Sequence, residues 1–161
     1  MSENDKVESA LLAAGHVLPG RPVALGSYVP AVRAGSLVFT SGQLPMVDGA
    51  LMATGTVGGE VDVDTARSCA ARCALNALAA ASTVCDLDAV TAVVKVTGYV
   101  ASAPGFTSQP AVVDGASQIV LAAFGEDGRH ARAAVGVASL PLGAPVEVEI
   151  VLELSCAHGV S

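Results

Sequence analysis

One arginine stands in an otherwise small and apolar run, Ala131-Arg132-Ala133-Ala134-Val135-Gly136-Val137. A guanidinium stays charged at any working pH and presents a planar fork of donors, so in such surroundings it requires an anion or a wet cavity, and a carboxylate fits it bidentately. Further on, Glu147 opens the run Val146-Glu147-Val148-Glu149-Ile150. A carboxylate at that place has the chemistry to orient a water or relay a proton; it is equally suited to be the solvent-facing residue of an alternating strand. His130, just ahead of Arg132, is a further titratable group. Cys69 and Cys73 have helical i,i+4 spacing, which could hold a metal, but no histidine or carboxylate is aligned with them and small core residues are the plainer role. The glycines between Gly42 and Gly59 are too scattered for a phosphate loop, and no Gly-Lys-Ser/Thr follows.

The elements that must carry these residues can be read from periodicity. Val146 to Leu154 alternates at the period of a strand, the residues after Arg132 read as another, and Leu140-Pro141-Leu142-Gly143-Ala144-Pro145 between them is a turn. The expectation is a hairpin or neighbouring strand pair, with Arg132 near one end and Glu147 near the start of the second strand. Upstream, Tyr28 to Arg33 and Leu37 to Gln43 read as strands joined by Ala34-Gly35-Ser36. Asp62 or Asp64 caps an alanine-rich helix running to Ala81, since a carboxylate there accepts the free amides of the first turn. Val93 to Val100 is a third strand, Ala111 to Phe124 a second helix ending at Gly125, and Val7 to Ala14 a short leading helix closed by Gly15. The main order is β-β-α-β-α-β-β, an α+β arrangement.

Several stretches resemble the RidA/YjgF family: His130-Ala-Arg-Ala with Val135-Gly-Val-Ala-Ser-Leu-Pro and Val146-Glu-Val-Glu, Gly26-Ser-Tyr-Val-Pro-Ala-Val, Gly35-Ser-Leu-Val-Phe-Thr-Ser-Gly-Gln, and Val93-Val-Lys-Val-Thr-Gly-Tyr-Val. The likeness runs from about Val23 to Leu154 and is closest to the longer YjgF-like branch. It divides the chain into an N-terminal extension with a short helix (1–22), the family domain (23–154) and a C-terminal tail (155–161). It implies a chorismate-mutase-like fold with a mixed sheet and two helices on one face, assembled as a homotrimer with sites in the clefts between subunits, and no cofactor. It further implies hydrolysis of 2-imino or 2-enamino acids to 2-keto acids and ammonia. Arg132 would hold the substrate carboxylate, Glu147 would orient the attacking water, and Tyr28 and Ser41 would line the pocket. Asp114 falls where the family's imine deaminases usually carry asparagine, and Ala134 where they carry cysteine. His130 falls where short members have proline, which implies a surface position, while Glu149 and Glu153 are expected to form a solvated strand face. Two other readings remain open: a non-catalytic trimer that holds a small carboxylate, and a ribonuclease.

Composition bounds these readings. A chain of 161 residues is one domain by length, and with 52% hydrophobic but 14% charged residues it has little charge to cover its surface, which favours an oligomer. A net charge of -7 argues against a nucleic-acid partner, because affinity for phosphate backbones comes largely from Lys and Arg. The four cysteines form no Cys-x-x-Cys pair, as expected of reduced thiols. The opening residues lack the order of a signal peptide and no run is long enough to cross a bilayer, so the expectation is a cytoplasmic protein without membrane contact.

Overall fold

The structure, a computed structural model, describes residues 5–23 and 27–155. Gly26 of the resemblance, Cys156, His158 and nearly all of the expected tail lie outside the described residues. The elements are α1 (Asp5–Ala13), β1 (Ala31–Ala34), β2 (Leu37–Thr40), a small hairpin β3 (Met46–Val47) and β4 (Ala50–Leu51), α2 (Val63–Ala81), β5 (Val90–Ala101), α3 (Gln109–Phe124), β6 (Ala131–Val137) and β7 (Val146–Leu154). The β3–β4 hairpin falls within the glycine-rich stretch; Asp48 and Gly49 both take positive φ at its turn, as a two-residue hairpin loop demands.

The five main strands form one sheet in the order β1-β2-β7-β5-β6, with β5 and β6 parallel and the other pairs antiparallel. The expected hairpin between the Arg132 and Glu147 strands is therefore corrected. β5 lies between them, and the loop from Ala138 to Pro145, with its two prolines and a turn at Pro141–Gly143, passes over the end of β5 and ties down through Ala101 N–H donating to the Pro145 carbonyl at 2.9 Å. A loop long enough to turn a hairpin is also long enough to step over one strand, and β5 is apolar enough on one face to claim the central place.

Alternation decides which face is covered. Val146, Val148, Ile150 and Leu152 of β7 pair with Val100, Gly98, Val96 and Val93 of β5, and all are buried under α2 and α3. Two glycines set how near the helices come: a Cβ on Gly98 would run into the side chain of Val113, and one on Gly115 would strike the Arg67 carbonyl. The alanine-rich side of α2, with Cys69 and Cys73 among Ala66, Ala70, Ala74 and Ala77, completes this core. Burial pushes the Cys69 thiol up to about 11 and raises that of Cys73, so both stay neutral packing groups. Asp62 rather than Asp64 caps α2, accepting from Thr65 N–H at 2.7 Å. Asp88 does the same for α1, taking the amides of Lys6 and Val7 at 3.0 Å, while Val7 and Leu11 enter the core.

The opposite face carries Tyr99 beside Glu147, Thr97 beside Glu149, Lys95 beside Val151 and Phe39 beyond it. Among the described residues no helix covers it, and no described helix is long and apolar enough to cross a membrane.

Candidate functional site

Arg132 pairs in register with Val96, which is buried beneath the helices, so the arginine projects to the helix side of the sheet at its outer strand. Its side chain is 26% exposed. Nη1 donates to Asp114 Oδ1 at 2.7 Å and to Ser117 Oγ at 3.1 Å, both on α3. Asp114 and Ser117 are one helical turn apart and so share a face. Ser117 Oγ also lies 2.8 Å from His130 Nε2, and His130 Nδ1 lies 2.7 Å from the Gly128 carbonyl. His130 is thus half-buried and doubly bonded, not the surface residue expected from its place in the family pattern. Asp114 neutralises the arginine on one side only: Nη1 is the only guanidinium nitrogen of Arg132 with an acceptor among the described residues. The Nε–Nη2 edge, the one that can grip a carboxylate side-on, is left over.

The second group gathers where β7 meets β2. Glu147 is half-buried on the open face, and burial, with the nearby Glu149 charge, raises its pKa above the ordinary carboxylate value. It packs against Gly42, where a Cβ would collide with the Glu147 carboxyl, so this close approach requires glycine. β2 reaches Gly42 through an irregular step at which Thr40 Oγ1 accepts from Ile150 N–H at 3.0 Å and Gln43 rejoins β7 opposite Val148. Ser41 donates from Oγ to the Val29 carbonyl at 2.7 Å, which fixes the segment carrying Tyr28. Tyr28 is 65% exposed and, with Pro30, Gly42, Gln43, Arg72 and Asn76, walls a cavity of about 530 Å³. Arg72 and Asn76 hold its floor, donating to the Leu44 and Met46 carbonyls. Beside Glu147, Tyr99 donates to Glu149 Oε1 at 3.1 Å, and burial followed by the Glu149 charge raises the pKa of the phenol. Glu149 is consequently part-buried and bonded rather than simply solvated, whereas Glu153 is exposed as expected.

One protomer therefore brings Arg132 together with Asp114, and Glu147 against Gly42, the neighbour of Ser41 and, with Tyr28, part of the cavity wall, but keeps the two groups apart. β5 separates their strands, about 10 Å at the usual strand spacing, and the two side chains leave opposite faces of the sheet. Sequence reasoning does not single out Ser117, Tyr99 or Gly42. Helical spacing from Asp114 points to Ser117; nothing local points to the other two, whose roles come from cross-strand neighbours. No group of three or more metal-ligating side chains occurs among the described residues.

Comparison with known proteins agrees with this architecture. The family described as "YjgF/chorismate mutase-like, putative endoribonuclease" matches residues 8–154. Protein TCP17 of Trypanosoma cruzi is 41% identical over 152 residues, 93% of this chain and 95% of that one. The crystal structure of Atu1372 from Agrobacterium tumefaciens, a protein of unknown function, superposes with a TM-score of 0.85 at 43% identity over 94% of each chain. A "putative endoribonuclease" from Shewanella oneidensis superposes with a TM-score of 0.87 at 34% identity, covering 92% of this chain and 99% of that one. With its fold and residues 8–154 matched, the chain belongs to the RidA/YjgF family.

Proposed function

We propose that the protein is a deaminase of 2-imino and 2-enamino acids, working as a homotrimer in which Arg132 of one copy faces Glu147, Tyr28 and Ser41 of the next. The observation that carries this reading is the half-used guanidinium: Nη1 is bonded to Asp114 and Ser117 while the edge suited to a carboxylate has no acceptor among the described residues. Since one protomer sends Arg132 and Glu147 to opposite faces, a second copy is the simplest way to bring them to one substrate.

In this scheme the guanidinium anchors the substrate carboxylate, converting a bimolecular encounter into a positioned one. Glu147, whose raised pKa brings it nearer neutrality, takes a proton from water as the oxygen adds to the C=N carbon. Glu147 passes that proton to nitrogen, giving a carbinolamine; it then takes the carbinolamine hydroxyl proton and delivers it to the amine as the C–N bond breaks and C=O forms, so that ammonia leaves with a 2-keto acid. The oxygen of the product comes from water, and no redox change is involved. Tyr28 and Ser41 shape the water side of the cleft.

A second reading, a trimer that binds a small carboxylate without turning it over, is favoured by Ala134. It shares the face of Arg132 and presents only a methyl group where family deaminases carry cysteine. Ribonuclease action fits least, because the open face is lined by Glu147, Glu149 and Glu153 against Lys95. The test is ammonia and keto-acid release from imino acids generated in situ. Turnover that is lost in both Arg132→Ala and Glu147→Ala supports the deaminase. Carboxylate binding that needs Arg132 but not Glu147, without turnover by the wild type, supports the binding protein.

A further inference from the structure

We infer that Ser117 and His130 are positioning residues for Arg132, a hydrogen-bonded relay that fixes the guanidinium so that its Nε–Nη2 edge alone is offered to a ligand. The inference rests on the carboxylate-anchoring role of Arg132, and adds how that role is achieved.

The polarity of the relay follows from what each atom can do. The Gly128 carbonyl only accepts, so His130 Nδ1 at 2.7 Å carries the proton. In the neutral ring Nε2 then has a lone pair, and Ser117 donates its hydroxyl proton to it across 2.8 Å. With that proton committed, Ser117 Oγ turns lone pairs towards Arg132 Nη1 and accepts at 3.1 Å, while Asp114 Oδ1 accepts from the same nitrogen at 2.7 Å. Along the path from Arg132 Nη1 through Ser117 and His130 to the Gly128 carbonyl, every donated proton meets an acceptor. The far end is rigid, because Gly128 is buried and a Cβ there would run into the backbone of Val120 and Leu121 on α3.

Asp114 alone would supply a charge partner but leave the guanidinium free to rotate about its own axis. Two acceptors on one nitrogen remove that freedom. Substituting Ser117 without His130, or the reverse, breaks the same chain, so the two changes should not add.

Two measurements test the relay. In the first, 2-oxobutanoate serves as the probe for binding to the full-length protein. Ser117→Ala and His130→Ala are expected to weaken binding about tenfold each, the loss expected of one hydrogen bond, with the double variant no worse than either and Ser117→Thr restoring affinity. If Arg132→Ala abolishes binding while Ser117→Ala and His130→Ala stay within about twofold of wild type, the relay is wrong and the anchoring role stands. The second measurement needs no ligand: nitrogen NMR of the Arg132 guanidinium, assigned by its loss in Arg132→Ala. Separate, slowly exchanging Nη1 and Nη2 signals are expected in wild type, with faster exchange in Ser117→Ala and His130→Ala, and His130 as the Nδ1–H tautomer. Unchanged exchange in those variants, or an Nε2–H imidazole, overturns the relay whatever the protein binds; failure of 2-oxobutanoate to bind wild type while the exchange differs overturns only the anchoring role.

Discussion

The two ends of the sheet that hold the chemistry are built differently. At the β6 edge, Arg132 is wired to α3 through Asp114 and Ser117, and the wiring ends on buried backbone at Gly128. At the β2–β7 end, Glu147 is crowded against Gly42 and made less acidic by burial and by the Glu149 charge, and Tyr28 stands largely in the open. The first end is a pre-aimed cation and the second a carboxylate made less acidic than usual. In the proposed reaction a grip must be rigid to orient a substrate and a proton acceptor must be tuned, and the two kinds of construction suit those roles.

The largest effect should come from separating the two ends genetically. Arg132→Ala and Glu147→Ala are each expected to lose turnover by roughly a hundredfold or more. Mixed after reversible dissociation, the two inactive variants should regain about a quarter of wild-type activity, because in random assembly one interface in four pairs an intact arginine with an intact glutamate. No recovery, with mixed trimers demonstrated by mass spectrometry, would show that each chain uses its own pair.

The next effect concerns the tuned end alone. Burial first, and Glu149 second, raises the Glu147 pKa. In its proposed role as a base it works ionised, so the acid limb of kcat/KM is expected above the usual glutamate value of about 4.3, and Glu149→Gln should move that limb to lower pH by removing one of the two causes. The stability sign runs the other way. A carboxyl whose folded pKa is raised contributes its stability fully below the unfolded value and loses it as pH rises through the folded one, so Glu147→Gln should gain thermal stability over wild type only on the alkaline side of that window. A limb that stays in place in Glu149→Gln would mean that another group sets it.

The arginine end can be loosened without touching a polar atom. Gly115 follows Asp114 on α3, and its missing Cβ is what lets α3 sit on the Arg67 carbonyl of α2. Gly115→Ala should cost about 1–3 kcal/mol in denaturant unfolding and, by displacing Asp114 and Ser117, should raise KM more than it lowers kcat. Equal changes in both would indicate that the helix shift reaches the Glu147 end as well.

How much of this could be read from sequence follows the range of the interactions. The β7 alternation and the oddity of an arginine among Ala, Gly and Val are local, and they place the strands and both chemical groups. The insertion of β5 between β6 and β7 is a long-range pairing with no local mark. The side to which Arg132 points is hidden too, because β6 is an edge strand whose small residues are partly exposed on both faces, so its burial pattern lacks the alternation that β7 shows. The Ser117–His130 contact joins a helix to a strand start and has no spacing signature at all. The residue types at both groups are thus legible in the sequence, whereas their placement on opposite faces of the sheet is not.

The smallest expected effect serves as the control for all the others. Asp62 accepts from Thr65 N–H at the start of α2, its pKa is lowered chiefly by that bond, and it touches neither chemical group. Asp62→Ala should lower the denaturation midpoint slightly, as loss of a helix cap does, and leave KM, the mixing result and the Arg132 guanidinium exchange unchanged. Because the folded pKa is depressed, the cap's contribution is present above the unfolded value and fades as pH falls through the folded one, so wild type and variant should converge in stability in strong acid. If this general loss of stability also raised KM, the KM effects of Gly115→Ala would have to be read as softening of the whole domain rather than of the arginine end, and the contrast between a wired end and a tuned end would lose its support.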